Sequence, residues 1–268
     1  MRLWLDFFLF VTAGIILALH VRSPLFAQTT GVAANPQGAA ISVPFVGCAS
    51  SGQIGTLEAP KGTNRSVAIS PKDAQALAYY TSADGIGLLA PRGWYCEGVS
   101  GSSGYAMFLS PKPIHQSMSG WEGLEGSAIE IEHMNGGTSG RYDIAQIIAR
   151  VFPAYRAIAI RALDGIDLPI PSGPYPKDTL EYIGKTIVEY KTPAQTEGLG
   201  NFDSLLGKND KPIARAAILL VDPPPNPNGD PPDPDMVRLS VRFLPDLPRL
   251  TPAIVRYVER NVVGAARK

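Results

Sequence analysis

Cysteine and histidine are scarce in this chain, which has two Cys and three His among 268 residues. Beyond the first thirty residues the only imidazoles are His115 and His133. Neither has a second ligand at the spacing that zinc sites use. We therefore expect no metal and no cofactor.

Charge of one sign is also missing, because 24 Lys and Arg stand against 24 Asp and Glu. Nucleic-acid binding normally needs clustered basic residues that neutralise phosphates, so this balance argues against a nucleic-acid partner. Charged residues make up 18% of the chain and hydrophobic residues 45%, which excludes a disordered polyampholyte. The composition predicts a folded globular domain.

The chain begins with the pattern of a secretory signal peptide. Arg2 precedes an uncharged run of 13 residues from Phe7 to Leu19, which is short for a membrane span. A cut after Ala27 would make residues 1–27 the signal peptide and leave a mature chain without a transmembrane span. We therefore predict export, to a periplasmic or secreted location.

An uncleaved membrane anchor that begins at Leu3 is the alternative. Asp6 and Pro24 are both imperfect for an ideal signal. With either alternative, the body of the protein leaves the cytosol.

An even number of cysteines in an exported chain predicts a disulfide, here between Cys48 and Cys96. The segment Phe45 to Cys48 superficially resembles a lipid-attachment motif, so lipidation of Cys48 is the alternative. That motif lies about thirty residues past the apolar run, which favours the disulfide.

Domain organisation follows from composition and periodicity. Residues 28–42 are small and polar without a period, which predicts a flexible leader, and 43–268 then form a single domain. Ser70 is a candidate N-cap for a first helix that Gly85 would end. Isoleucines from Ile144 onward follow the helical period up to Phe152. Four aromatic or alternating runs predict strands, over 88–90, 94–99, 105–109 and 128–134.

The C-terminal third contains two further predicted strands. Ile213 to Val221 is nearly all apolar, and Val237 to Phe243 alternates with Arg and Ser, which predicts one solvated face. The intervening Asp222 to Asp235 has seven Pro and four Asp among 14 residues and predicts an exposed loop. A last helix should begin at Thr251. This order of elements predicts an α+β fold, with a largely antiparallel sheet flanked by helices in a single body after the signal segment.

The run Gly136, Gly137, Thr138, Ser139, Gly140 and Arg141 joins a predicted strand to a predicted helix. Free backbone N–H groups and a positive helix end at such a junction are suited to an anion. The alternative is a tight turn in which Thr138 or Ser139 only caps the helix.

A catalytic interpretation of the same junction takes Ser139 as nucleophile, His133 as base and Asp143 as the group that orients the base. No Gly-x-Ser-x-Gly elbow supports it, and His133 shares a strand face with two isoleucines. Glu130 and Glu132 share the other face and could be the carboxylate pair of a glycosidase-like site. A solvated surface is the alternative interpretation of these two residues.

Four aromatic residues could form a platform for a sugar or a peptide, or alternatively serve the core. They are Trp94, Tyr95, Tyr105 and Trp121.

Four segments together resemble a family of uncharacterised exported bacterial proteins: Val46 to Cys48, Leu89 to Cys96, Gly136 to Arg141, and Thr192 to Gly200. The resemblance implies export and a single folded body, and it carries no activity or ligand. The sequence favours a non-catalytic binding or envelope-associated protein whose partner is a small anion, a sugar or an envelope component. The alternative is a hydrolase with its site at the 136–141 junction.

Overall fold

A computed structural model describes residues 40–53, 55–83, 85, 87–117, 120–121, 123–207, 214–221, 233–245 and 247–265. The predicted signal peptide and most of the predicted leader lie outside the described residues. So does most of the Asp222 to Asp235 loop. The described residues from Ala40 onward belong to one compact unit.

An eight-stranded sheet organises the described part of the chain. In spatial order its strands are β12 (Thr179–Tyr182), β13 (Ile187–Thr192), β14 (Ala214–Val221), β15 (Asp235–Arg242), β11 (Ala128–Met134), β8 (Gly104–Ser110), β7 (Tyr95–Gly101) and β3 (Ser50–Gly52). All neighbours are antiparallel except the pair β3 and β7. The α+β fold with a largely antiparallel sheet is confirmed.

Smaller sheets hold the remaining described strands. They are β1 (Ala40–Val43) with β4 (Arg65–Ala68), β2 (Phe45–Gly47) with β5 (Leu77–Thr81) and β6 (Leu88–Pro91), and β9 (Gln116–Ser117) with β10 (Gly120–Trp121). The prediction of an unstructured leader up to residue 42 is wrong at its end, because Ala40 to Ser42 pair with β4.

Helices cover the sheet and follow the predicted apolar periodicity. Their bounds are α1 (Pro71–Ala76), α2 (Arg141–Val151), α3 (Arg156–Leu163) and α4 (Thr251–Ala265), with short 3₁₀ turns at Pro153–Tyr155 and Pro248–Leu250. Ser70 caps α1 as predicted, since its side chain accepts a hydrogen bond from the N–H of Asp73. None of the helices in the described part of the chain has the length and hydrophobicity needed to cross a membrane.

The first helix is much shorter than predicted. It ends at Ala76, and Leu77 already has extended backbone angles. The next residues, Leu77 to Thr81, form β5 between β2 and β6, where Leu77 and Tyr80 are fully buried. Sheet pairing and the strand preference of the Tyr79–Tyr80–Thr81 run therefore override the apolar stripe that suggested a longer helix.

The disulfide between Cys48 and Cys96 is confirmed. It joins the residue that follows β2 to the second residue of β7. Because β2 and β7 belong to different sheets, the bond ties the N-terminal strands to the large sheet.

The two faces of β11 are both buried, against different structures. Ile129 and Ile131 lie in the main hydrophobic core. Glu130 and Ala128 alternate with them and occupy the other face, where Ala128 packs in a second small apolar cluster with Phe108. This second face carries the site described next.

Candidate functional site

Two glutamates of β11 and one arginine of β15 form a buried cluster on the second face of the sheet. The antiparallel register places Glu132 opposite Arg238 and Glu130 opposite Ser240. Glu130 and Arg238 are each only 3% exposed. The interpretation of Glu130 and Glu132 as a solvated surface is therefore wrong, and so is the predicted solvated face of β15.

Arg238 has a carboxylate and two backbone carbonyls as partners. Its Nε donates to Glu132 Oε2 at 2.5 Å, and a second guanidinium nitrogen also contacts that oxygen. The two terminal nitrogens donate to the carbonyl of Phe202 and, at 2.8 Å, to that of Asp203. The guanidinium carbon lies 5.8 Å from the centre of the Phe202 ring. Arg238 thus compensates the charge of Glu132 and holds an irregular segment against the sheet.

Glu130 lies deeper than Glu132 and contacts a hydroxyl from the same segment. Ser204 donates a hydrogen bond to Glu130 Oε2. Burial raises the pKa of Glu130 to about 8, and the neighbouring charge of Glu132 acts in the same direction. Burial also raises the pKa of Glu132, and its direct ion pair with Arg238 opposes that shift. Glu130 therefore carries a proton at neutral pH and shares a hydrogen bond with Glu132.

A row of hydroxyls continues the cluster toward β13. The phenol of Tyr190 donates to the carbonyl of Leu239 at 2.9 Å and lies 2.5 Å from the Ser240 oxygen. Since the phenol has a single proton, Ser240 is the donor in the second contact. Burial raises the pKa of Tyr190 above its usual range, so this row is neutral.

Like Arg238, Arg242 of the same strand donates hydrogen bonds to backbone carbonyls of loops. It donates to the carbonyls of Gly126, at 2.7 Å, Gly207, at 3.0 Å, and Leu124. Two loops, over residues 123–126 and 199–207, are thus fixed on the second face by arginines of β15. These loops cover the face that the alternating pattern alone assigned to solvent.

A cavity of about 230 Å³ opens beside the cluster. Polar residues on its wall include Glu132, His133, Asp143, Asp203 and Arg238. The rest of the wall consists mostly of the turn around Ser103 and of apolar side chains, among them Ile147 and Phe202. Glu130 does not line the cavity. Ligand pockets typically measure about 300–1,000 Å³, so this one suits a small molecule or one group of a larger one.

The charged side chains on the cavity wall are predominantly acidic. Burial raises the pKa of Asp143, and the charges of Asp203 and Glu132 raise it further, whereas Arg238 lowers it. All three carboxyls line the same cavity. Arg238 is their principal counter-charge, and its N–H groups are engaged by Glu132 and the two carbonyls.

His133, the predicted base, has a partner that the sequence analysis did not assign to it. Its Nε2 lies 3.4 Å from Asp235 Oδ2. Burial acts to raise the pKa of Asp235, but the hydrogen bonds from His133 and from the Gly136 N–H lower it overall. Asp235 belongs to the segment predicted as an exposed loop and is the first residue of β15.

The predicted serine triad is only partly brought together. His133 and Asp143 line the same cavity, and Ser139 is exposed and not part of its wall. The imidazole contacts Asp235 rather than Asp143. A triad of Ser139, His133 and Asp143 therefore remains a prediction without a supporting contact in the described residues.

Most backbone N–H groups of the 136–141 junction are used by the chain itself. Gly136 donates to Asp235 Oδ1 at 2.8 Å, Thr138 donates to Asn135, and Gly140 donates to the Thr138 hydroxyl. Gly140 is the N-cap of α2, and no side chain caps the helix. The tight turn is thus present, but neither Thr138 nor Ser139 caps the helix as predicted. Few backbone N–H donors, those of Gly137 and Ser139, are left for an anion.

Arg141, the proposed second arm of the anion site, turns toward its neighbour. It donates to the Tyr142 hydroxyl at 3.0 Å, and its guanidinium lies 4.9 Å from the centre of that ring. In the described residues no three His, Cys, Asp or Glu side chains converge as metal ligands.

Among the described side chains, those of Trp94, Tyr95 and Tyr105 do not form a common platform. Tyr105 is 8% exposed and belongs to the core, and Trp94 packs edge-on against Phe243 at 5.7 Å. Tyr95 is exposed at 51%, and the side chain of Trp121 lies outside the described residues.

Sequence reasoning missed Arg238 and the segment 199–207 as parts of the site. The one available signal was the chemistry of the side chains. Two arginines alternate with apolar residues in one predicted strand, and two glutamates alternate with apolar residues in another. A scan against protein-family models and searches of curated proteins and of solved structures found no match.

Proposed function

We propose that this chain is a non-catalytic, exported binding protein that holds a small cationic group in the cavity beside the Glu130–Glu132–Arg238 cluster. The observation that carries the proposal is a cavity of about 230 Å³ whose polar wall is fixed by the chain's own hydrogen bonds. A rigid, preorganised wall lowers the entropic cost of binding.

The charges select the ligand class. Three carboxyls, of Glu132, Asp143 and Asp203, face a single guanidinium that is already paired. An anion would be repelled there, whereas an ammonium group would find acceptors. This argument replaces the small anion expected from the 136–141 junction with a cation at the neighbouring cavity.

The contacts favour binding over hydrolysis. Glu130 is sealed from the cavity, Glu132 is committed to Arg238, and Ser139 lies away from both. A nucleophile and a base within hydrogen-bond reach of each other are the minimum for acyl transfer. A hydrolase centred on residues 136–141 is therefore the second candidate, favoured only by the position of His133 and Asp143 on one wall.

Export is supported by the disulfide between Cys48 and Cys96, since such bonds persist in oxidising compartments. The signal-like first 27 residues and the resemblance to exported bacterial proteins point the same way. We propose a periplasmic or secreted location on these grounds.

The test is an NMR titration with ethanolamine, N-acetylglucosamine and sodium phosphate. We expect ethanolamine alone to shift the amide signals of Gly101, Gly104 and Asp143, with millimolar affinity as suits a small ligand. Asp143→Asn should weaken this binding, while the matched control Asp164→Asn, at an exposed position, should leave it unchanged.

Shifts with phosphate rather than ethanolamine, or none with any probe, would refute the cation site. Ester hydrolysis that disappears in Ser139→Ala would establish the hydrolase instead.

A further inference from the structure

The segment 199–207, which we call the lid segment, lies over the carboxyl pair and contains no helix or strand. Its first residues are firmly attached: the Leu199 N–H donates to Asp178 Oδ2 at 2.8 Å, and the Gly200 N–H donates to the Thr192 hydroxyl at 2.9 Å. Beyond this anchor, Asp203 adopts a left-handed φ of 41°. Such a conformation is uncommon for a residue other than glycine and marks a sharp turn in the chain.

The middle of the lid segment is held mainly by groups of the buried cluster. Ser204 donates a hydrogen bond to Glu130, and Arg238 donates hydrogen bonds to the carbonyls of Phe202 and Asp203. The Leu205 carbonyl accepts from the Leu124 N–H at 2.9 Å. The attachment of the lid therefore depends on the charge state of the carboxyls beneath it.

Protonated Glu130 suits this arrangement because one carboxyl donates to the other. After ionisation, two buried carboxylates would share the single guanidinium of Arg238. Neither would be adequately solvated, because burial of an unpaired charge is expensive. Moving the lid segment away is the change that admits water to both.

We infer that the lid segment is a proton-controlled lid, closed while Glu130 is protonated and opening when that carboxyl ionises. Phe202 and Asp203 belong to the lid and also to the cavity wall. Opening therefore widens the cavity, and this consequence for ligand access rests on the proposed function. The lid movement itself does not.

The titratable groups that act on Glu130 or on Glu132 lie on several elements, and β8, the other neighbour of β11, places the apolar Phe108 opposite Glu130. Glu132 lies on its own strand, Arg238 on β15 and Tyr190 on β13. Asp203 on the lid and Asp143 on α2 act on Glu132 and on each other. Arg238 and the hydrogen bond from Ser204 favour ionisation of Glu130, whereas burial and the charge of Glu132 oppose it more strongly.

The pH window follows from proton linkage. In the closed state the pKa of Glu130 is about 8, against an ordinary value of 4.5 once the carboxyl is exposed to water. The closed state thus holds a proton that the open state releases between these values. Each pH unit within the window should weaken closure by up to about tenfold, with no further change above the upper limit.

Hydrogen–deuterium exchange of the ligand-free protein tests this inference. Protection factors of the amides over 201–206, corrected for the intrinsic exchange rate, should fall up to about 100-fold between about pH 5.5 and 7.5. The amides of β7 and β8 serve as the internal reference and should change much less.

Three variants complete the experiment. Glu130→Gln keeps a neutral donor and should reduce the fall to less than about tenfold. Its matched control, Glu125→Gln, changes an exposed carboxyl of a neighbouring loop and should behave as the original protein does. Ser204→Ala should open the lid at every pH and keep the pH slope, which provides a reading if the Glu130 variant does not fold.

Protection factors of the lid segment that do not change with pH would overturn the inference. An undiminished pH dependence of these protection factors in Glu130→Gln would overturn it as well. A simultaneous loss of protection in the lid and in β7 and β8 would show global unfolding and would also overturn it. These readouts need no ligand, so failure of the cation site in the NMR titration is a separate result.

Discussion

Arg238 of β15 and Glu132 of β11 stand opposite each other in the sheet register and form a buried ion pair. The pair lies on the face that an alternating strand would normally expose. Removal of one partner of a buried ion pair leaves the other charge without compensation. Arg238 therefore supports both the stability of the sheet and the position of the lid segment.

Arg238→Met should lower the free energy of unfolding by about 3–5 kcal/mol, because Glu132 and two loop carbonyls lose their donor. Chemical denaturation at neutral pH measures the loss. The control is Arg161→Met, which breaks a 2.8 Å ion pair to Asp233 in which the arginine side chain is 50% exposed. That exposed pair should contribute less than about 1 kcal/mol. Equal losses in the two variants would contradict the buried role of Arg238.

The period of β11 predicted the strand correctly and separated Ile129 and Ile131 from Glu130 and Glu132, but the glutamate face is not the solvated surface that the sequence suggested. What covers the glutamate face could not be predicted, because the cover is an irregular segment more than seventy residues away with no period of its own. Glu130 and Ser204, for instance, are separated by 74 positions. Alternation reports which side chains share a face and says nothing about what lies over it.

Local signals were sufficient elsewhere. The cap at Ser70, the helix α2 and the pairing of Cys48 with Cys96 all follow from residues close in sequence or from a count of two. The helix predicted beyond Ala76 failed because its continuation pairs with strands that are distant or later in the chain. The candidate site combines a well-predicted strand with a loop that carried no signal.

Loss of the disulfide should destabilise the fold by restoring freedom to the unfolded chain. The bond closes a loop between residues 48 positions apart. On the loop-entropy model this corresponds to about 4 kcal/mol. We expect the double variant Cys48→Ala and Cys96→Ala to lose about that much in chemical denaturation. A reductant should lower the stability of the original protein equally and leave the double variant unchanged.

Glu259 on α4 should make the stability of the domain depend on pH. Burial raises its pKa to about 7, the charge of Glu189 raises it further, and Arg256 and Arg260 oppose the shift. A raised carboxyl pKa stabilises the fold fully below its ordinary value of 4.5, and this contribution is lost as the pH rises toward about 7.

Glu259→Gln should therefore raise the Tm relative to the original protein at about pH 8 and have little effect at about pH 5. Thermal melts at the two values decide this. Glu58→Gln, at an exposed position outside the helices and strands, is the control and should change the Tm at neither pH. A Tm difference for Glu259→Gln of the same size at both values would exclude the titration of Glu259 as its cause.

Two glycines of the 136–141 junction should differ sharply in their tolerance of a methyl group. A Cβ on Gly140 would lie 2.3 Å from the Ser103 carbonyl oxygen and 2.9 Å from that of Asn135, whereas a Cβ on Gly137 has nothing within 4 Å. Both contacts at Gly140 are with backbone, so relief requires the turn at Ser103 to separate from the start of α2. Gly140→Ala should cost about 1–3 kcal/mol, in line with overpacking elsewhere, and Gly137→Ala less than about 0.5 kcal/mol. Urea denaturation of the two variants measures both values.

Because the turn at Ser103 also lines the cavity, Gly140→Ala should in addition shift the amide signals of Gly101 and Gly104, and Gly137→Ala should not. Equal tolerance at the two positions would mean that the turn and the helix are not in the close contact on which the shape of the cavity depends.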